Sequence, residues 1–380
     1  MSFARGVVVG CLATAGLVTL PKVLEGYGTL SLPSAAAPPR VESPEEVKAA
    51  AEKLKEAEIL AFGRPEGGRI KRTLGNHVLE YDCNHKIPVW VAQHLTASSL
   101  KGEGDRRFSE FRSDPQIPPM FSAQNTDYRG SGWSRGHMAP AGDNKASQDA
   151  MNNTFYLSNI LPQDIQNNGG FWNRMEIYCR DLTKSFEDVW VTSGPLFLPT
   201  KGEDGKKSVT YQVIGENEVS VPSHLYKVII AKKNDQLVTG SFVVPNKPIG
   251  YSHHLKEFQV PMEYIEKKAG VRFHSGLERS QAENLCEVTG CNLMTKAELD
   301  QYIFLRRLRR ANNLKKLEKI WKEIQEKEVP INAALTEVYQ KYSVEFAKAE
   351  TCPADQKQEQ KKSDIGSDNS DVKKAAISGG

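Results

Sequence analysis

The stretch SGWSRGHMAPAGDNK, residues 131–145, sets one histidine, His137, between a glycine and a Met-Ala-Pro turn, two positions after Arg135. The stretch has neither the alternation of a strand interior nor the three-four spacing of a helix. An imidazole titrates near neutral pH, so such a residue can take a proton from an attacking water. A lone histidine is more often structural, and a second motif has to decide. In FYLSNILPQDIQNNGGFWNRMEIY (155–178), Asn159, Asn168 and Glu176 follow at intervals of nine and eight. Asn167-Asn168-Gly169-Gly170 reads as the turn opening a helix, with Glu176 one turn beyond Trp172. Amide oxygens and one carboxylate on such a scaffold suit zinc poorly. They suit Mg²⁺, a hard cation that prefers oxygen ligands and keeps several waters, and Mn²⁺ can stand in for it. A neutral imidazole beside hydrated Mg²⁺ is a set fit for phosphodiester hydrolysis, because the metal offsets charge on the phosphoryl and leaving oxygens.

Other chemistries lose support. GEDGKKS (202–208) departs from a phosphate loop, with Thr200 where the first glycine belongs and Lys207 where Ser or Thr belongs. No HExxH or dinucleotide fingerprint occurs. The net charge of +3 over 380 residues makes no case for a polyanion partner by itself, so local charge must be read instead. Of six scattered cysteines, Cys286 and Cys291 are the one close pair, a loop with one disulfide or with free thiols.

Positioning these groups requires a body of strands and helices. β-rich runs at 76–82, 189–198, 224–231 and 240–246 are separated by Gly, Pro and Asn and interrupted by helical stretches near 146–152 and 171–186. The pattern predicts an α+β fold, a mixed sheet with helices packed on it. Beyond Thr295 the character is helical, opened by a Thr295–Glu298 capping box. Leu305, Leu308, Leu314, Leu317, Trp321 and Ile324 form a rough apolar stripe at helical spacing. The opposite face is basic: residues 305–319 hold seven cations, among them Arg306, Arg307, Arg309 and Arg310, against one anion, Glu318. Pro330 ends this pattern, and a second helix is expected over about 332–348.

The expected organisation is a membrane anchor or targeting segment with its linker (1–42), a spacer helix (43–62), the α+β body (63–294), a helical extension (295–350) and a disordered polar tail (351–380). The uncharged run from Gly6 to Pro21 is short for a full span, which needs about 20 apolar residues.

SGWSRGHMAP, followed about thirty residues later by NNGGFWNRME, resembles the paired signature of the DNA/RNA non-specific ββα-metal nucleases. DYRGSGWSRGHMAPAG and VPSHLYKVI look closest to the mitochondrial exo/endonuclease G branch, and the likeness runs from about Tyr81 to Phe258. The resemblance implies a ββα-metal (His-Me finger) core with a central antiparallel sheet flanked by helices. It also implies Mg²⁺-dependent endonuclease and 5′–3′ exonuclease action on DNA, RNA being open, with 5′-phosphate and 3′-hydroxyl products. The implied setting is a homodimer at the mitochondrial inner membrane, held by its N-terminal segment and facing the intermembrane space.

By the same resemblance His137 is the general base, Asn168 the direct metal ligand and Glu176 a carboxylate acting through metal-bound water. Asn159 is a polar residue lining the site. Arg106, in GDRRF, steadies the scissile phosphate, with Arg107 beside it as the alternative equivalent. Arg135 helps to orient the loop and the nucleic acid. Next to such a site, Arg306, Arg307, Arg309 and Arg310 are expected along the nucleic-acid backbone. Tyr302 and Phe304 either stack on an unpaired base or strand end or pack in the core. The resemblance departs at Ser134, where most of the family carries Asp. That departure, with the basic helix, keeps one rival reading, a catalytically weakened nucleic-acid-binding protein of the same fold.

Overall fold

The computed structural model describes residues 44–45 and 67–351. The expected anchor and linker, most of the spacer helix and nearly all of the polar tail lie outside the described residues. In chain order the first strands are β1 (Arg69–Thr73), β2 (His77–Asp82), β3 (Ile87–Leu95), β4 (Ser134–His137), β5 (Ile160–Gln163) and β6 (Asp188–Leu196). Four two-residue strands follow: β7 (Thr200–Lys201), β8 (Lys207–Ser208), β9 (Val213–Ile214) and β10 (Val219–Ser220). The last are β11 (His224–Lys233), β12 (Gln236–Pro245) and β13 (Glu283–Asn284). The main helices are α1 (Asn173–Leu182), α2 (Met262–Ala269), α3 (Lys296–Leu308), α4 (Leu314–Glu326) and α5 (Ala333–Thr351).

One seven-stranded sheet organises the body in the order β1-β2-β3-β6-β11-β12-β13, antiparallel except at the β12–β13 edge. β11 is buried along nearly its whole length, so its run HLYKVIIA is apolar on both faces. The period of two then sorts its side chains. Leu225, Ile229 and Ala231 face the helical layer that holds Phe171, Trp172 and Met175, whereas Tyr226 and Val228 face α2 through Met262 and Ile265. Each large apolar side chain enclosed this way contributes about 1.5–3 kcal/mol. The sheet is therefore a rigid slab covered on both sides, as expected for the α+β class.

Several elements differ from the sequence reading. Ser134–His137, which lacks alternation, is nevertheless a strand, paired antiparallel with β5 so that His137 lies opposite Ile160. Alternation fails there because β4 runs from two half-buried positions to two buried ones and presents no exposed face to mark. Asn167 to Gly170 do not form a turn ahead of the helix. Residues 165–182 wind continuously, with a wide π-helical turn at Asn168–Trp172 between Ile165–Asn167 and α1. Such turns re-aim side chains and are frequent at functional sites.

The basic run 305–319 is two helices, not one. α3 stops at Leu308, and the Asn313 side chain caps α4 by accepting the Lys316 amide at 2.8 Å. α3, α4 and α5 enclose a separate apolar cluster of Phe304, Leu308, Leu317, Ile320, Ile324 and Leu335. Among the described residues no helix is long and apolar enough to cross a membrane. Cys286 and Cys291 are joined as a disulfide.

Candidate active site

The antiparallel β4–β5 pair carries His137 into a cleft. Its backbone is held close, because a Cβ at position 136 would overlap the Gln163 side chain, which accounts for the glycine before the histidine. Beyond His137 the chain is stapled by Asn159. Its amide oxygen accepts the Ala139 N–H at 2.9 Å, and its amide nitrogen donates to the carbonyls of Ala139 at 3.0 Å and Thr154 at 2.8 Å. Trp172, fully buried, donates its indole N–H to the His137 carbonyl at 3.4 Å.

The His137 ring lies between Phe111 and Phe155, with centroids 5.2 and 4.9 Å away. Burial, and then the positive charge of Arg106, push its pKa down to about 3, so the imidazole is neutral at physiological pH. Its Nε2 is enclosed and without a hydrogen-bond partner.

Asn168 and Glu176 border the same cleft from the π-turn and from α1. The Asn168 amide nitrogen donates to Ser134 Oγ at 3.0 Å, which leaves the amide oxygen as the atom available to a ligand. Glu176 is half-buried. Enclosure raises its carboxyl to about 7, with Lys227 and Arg180 pulling the other way. Among the described residues no group of three or more His, Cys, Asp or Glu could hold a metal. One amide oxygen and one nearby carboxylate are hard donors with few protein ligands, a set that fits a cation keeping most of its waters.

The cleft, of ≈ 380 Å³, is lined by six cations: Arg106, Arg135, Lys145, Arg180, Arg306 and Arg310. Arg106 stands over the Phe155 ring at 5.6 Å, whereas Arg107 is exposed and tied to Asp105 at 2.6 Å. The arginine at the site is therefore Arg106. Burial depresses the Arg106 pKa; Glu176 opposes this, while Arg306 and Arg310 add to it. Arg135 donates to Asn125 at 2.7 Å and lies 4.3 Å over Phe111.

Other expected residues are placed elsewhere. Asn159 does not line the cleft; it is fully buried, with its polar atoms spent on backbone, and it positions the loop. Phe304 is buried in the C-terminal cluster and cannot stack on a base. Arg307 turns inward to Glu323 at 2.7 Å, and Arg309, exposed, lies off the cleft. Tyr302 is half-buried beneath Arg306, with the guanidinium 5.6 Å from its ring.

Sequence reasoning missed Lys145, Arg180 and Lys227. Arg180 is anchored by Asp143 at 2.6 Å, and Gln93 donates to the second oxygen of that carboxylate at 2.7 Å. Lys227 is fully buried, donating to Ser193 at 2.8 Å and lying 4.1 Å over Trp172. A lysine inside the apolar run HLYKVIIA was the available signal, since a buried cation is rare without a purpose.

The sequence model of the DNA/RNA non-specific endonuclease family matches residues 55–280. The mitochondrial nuclease EXOG of Danio rerio is 51% identical over 288 residues, covering 75% of this chain and 84% of that protein. Human mitochondrial endonuclease G is 43% identical over 217 residues, 57% of this chain and 73% of that protein. Among solved structures, one titled as the EndoG/EndoGI complex and the mechanism of EndoG inhibition matches with a TM-score of 0.56 at 42% identity. It covers 60% of this chain and 95% of that one. With a basic cleft around a neutral imidazole and a family match over more than half its length, the chain belongs to the DNA/RNA non-specific endonucleases and is a phosphodiester-hydrolysing nuclease.

Proposed function

We propose that the chain is a Mg²⁺-dependent nuclease, acting on DNA with RNA as a further substrate, that uses His137 as its general base. The observation that carries this reading is the neutral, enclosed imidazole of His137 in one cleft with Asn168, Glu176 and six cations. With the proton on the enclosed Nε2, the Nδ1 lone pair is left to take a proton from the attacking water. Arg106 balances charge on the scissile phosphate as it builds. The Asn168 amide oxygen, with Glu176 acting through water, would hold the Mg²⁺, which supplies charge stabilisation to the phosphoryl and leaving oxygens. Mn²⁺ is the natural substitute for the same donors. Arg135, Arg306 and Arg310 hold the strand by its phosphates.

Products with 5′-phosphate and 3′-hydroxyl ends and a 5′–3′ exonuclease component follow from the resemblance to the exo/endonuclease G branch. The relatives' names support a mitochondrial location. We place the protein at the inner membrane, facing the intermembrane space and held by its N-terminal segment, as a homodimer. A time course on end-labelled linear and on circular DNA, with and without chelator, tests the reading. Metal-dependent opening of circles supports an endonuclease and release of end label an exonuclease. Binding without cleavage under all conditions supports the weakened-binder rival.

A further inference from the structure

The cleft continues past Asn168 into a second pocket of ≈ 500 Å³. Arg106, Ser134, Arg135 and Asn168 border both spaces, while Arg306 and Arg310 border only the first. To these shared polar groups the second adds Asn125, exposed Arg129 and three aromatic side chains, Phe111, Tyr128 and Trp133. Its volume lies in the range of small-molecule sites and is ample for one nucleoside.

One wall of this space is held ready for a ligand. The Trp133 indole is fixed in place independently: its N–H donates to Gln212 at 3.0 Å, and its backbone N–H donates to Ser131 Oγ at 3.1 Å. A wall held before the ligand arrives gives up little entropy on binding. Phosphate would favour the first space, with its six cations; flat aromatic walls favour a base, because every base has a π-face.

We infer that this pocket is a nucleoside subsite, taking the unpaired base and sugar of one nucleotide next to the phosphate being cut, stacked on Trp133. The assignment rests on the nuclease reading above. It gives the enzyme a dependence on one base being free of its partner on one side of the cut, since a paired base cannot enter.

The test is cleavage of a single-stranded oligonucleotide in which one abasic residue is moved stepwise along the strand, with Mg²⁺ present. The wild type should cut about tenfold more slowly next to the abasic residue on one side only, as expected for losing one stacked base. Trp133→Ala should cut the abasic and intact strands at equal rates, and Trp133→Phe should keep the discrimination. Should Trp133→Ala prove inactive, the wild-type scan decides by itself. Equal cutting by the wild type wherever the abasic residue sits overturns the subsite but leaves the nuclease intact. No metal-dependent cutting of the intact strand overturns the nuclease reading instead.

Discussion

Asn168 donates its side-chain amide to the Ser134 hydroxyl at 3.0 Å, and that hydroxyl donates onward to the Gln163 carbonyl at 2.7 Å. The relay fixes which end of the Asn168 amide faces the cleft. A serine can accept and donate at once, so this position does positional work without an acid. Ser134→Ala should therefore weaken the affinity for activating Mg²⁺ by about tenfold, the usual cost of losing a group that orients a ligand. Titrating activity against Mg²⁺ measures it. An unshifted midpoint means that Ser134 does not set the ligand.

His137→Ala should lower the turnover number by about 10²–10⁴-fold, the span expected for a general base. Binding of a labelled strand should stay within a few-fold, because the cations of the cleft are untouched. Near-normal turnover in saturating Mg²⁺ would rule out His137 as the base.

Arg306 and Arg310 border the cleft, whereas Arg307 is paired with Glu323 and Arg309 lies off it. Replacing Arg306 and Arg310 together by Ala should weaken binding and reduce the slope of log affinity against log salt by about 1.5, the share of two phosphate contacts. Arg309→Ala should leave that slope unchanged. A double variant with the wild-type slope shows that these arginines do not meet phosphates.

His77 is buried with neither ring nitrogen hydrogen-bonded. Burial, and then Arg72, hold its pKa down at about 4, against a smaller opposing effect of Asp114. Above the unfolded value near 6.5 the ring is neutral in both states and its titration costs nothing. As pH falls from 6.5 towards 4 the unfolded chain takes up the proton first, so stability is lost across that window. His77→Leu removes the titration. Its stability relative to the wild type should grow by about 1.4 kcal/mol per pH unit through the window. Denaturant unfolding at several pH values reads the difference, and parallel curves would exclude it.

The sequence determined the chemistry. The imidazole, the amide and the carboxylate stand in two short motifs whose residue types suit hydrolysis of a phosphodiester, and the motifs are legible because local order along a chain is preserved when it folds. It also determined β2, β6, β11, β12 and the capping of α3, which depend on period and on neighbours a few residues apart, but not the central β3. What only the tertiary structure decided was which distant groups converge. Arg106 and Arg310 meet Glu176 in one cleft although each lies far from it in sequence. Arg306 faces the cleft while Arg307, its neighbour, does not, because a helix sends adjacent side chains about 100° apart. Phe304 was lost to the core and Asn159 to the backbone of Ala139 and Thr154 for the same reason: burial is set by what packs alongside, and no single stretch of sequence contains its neighbours.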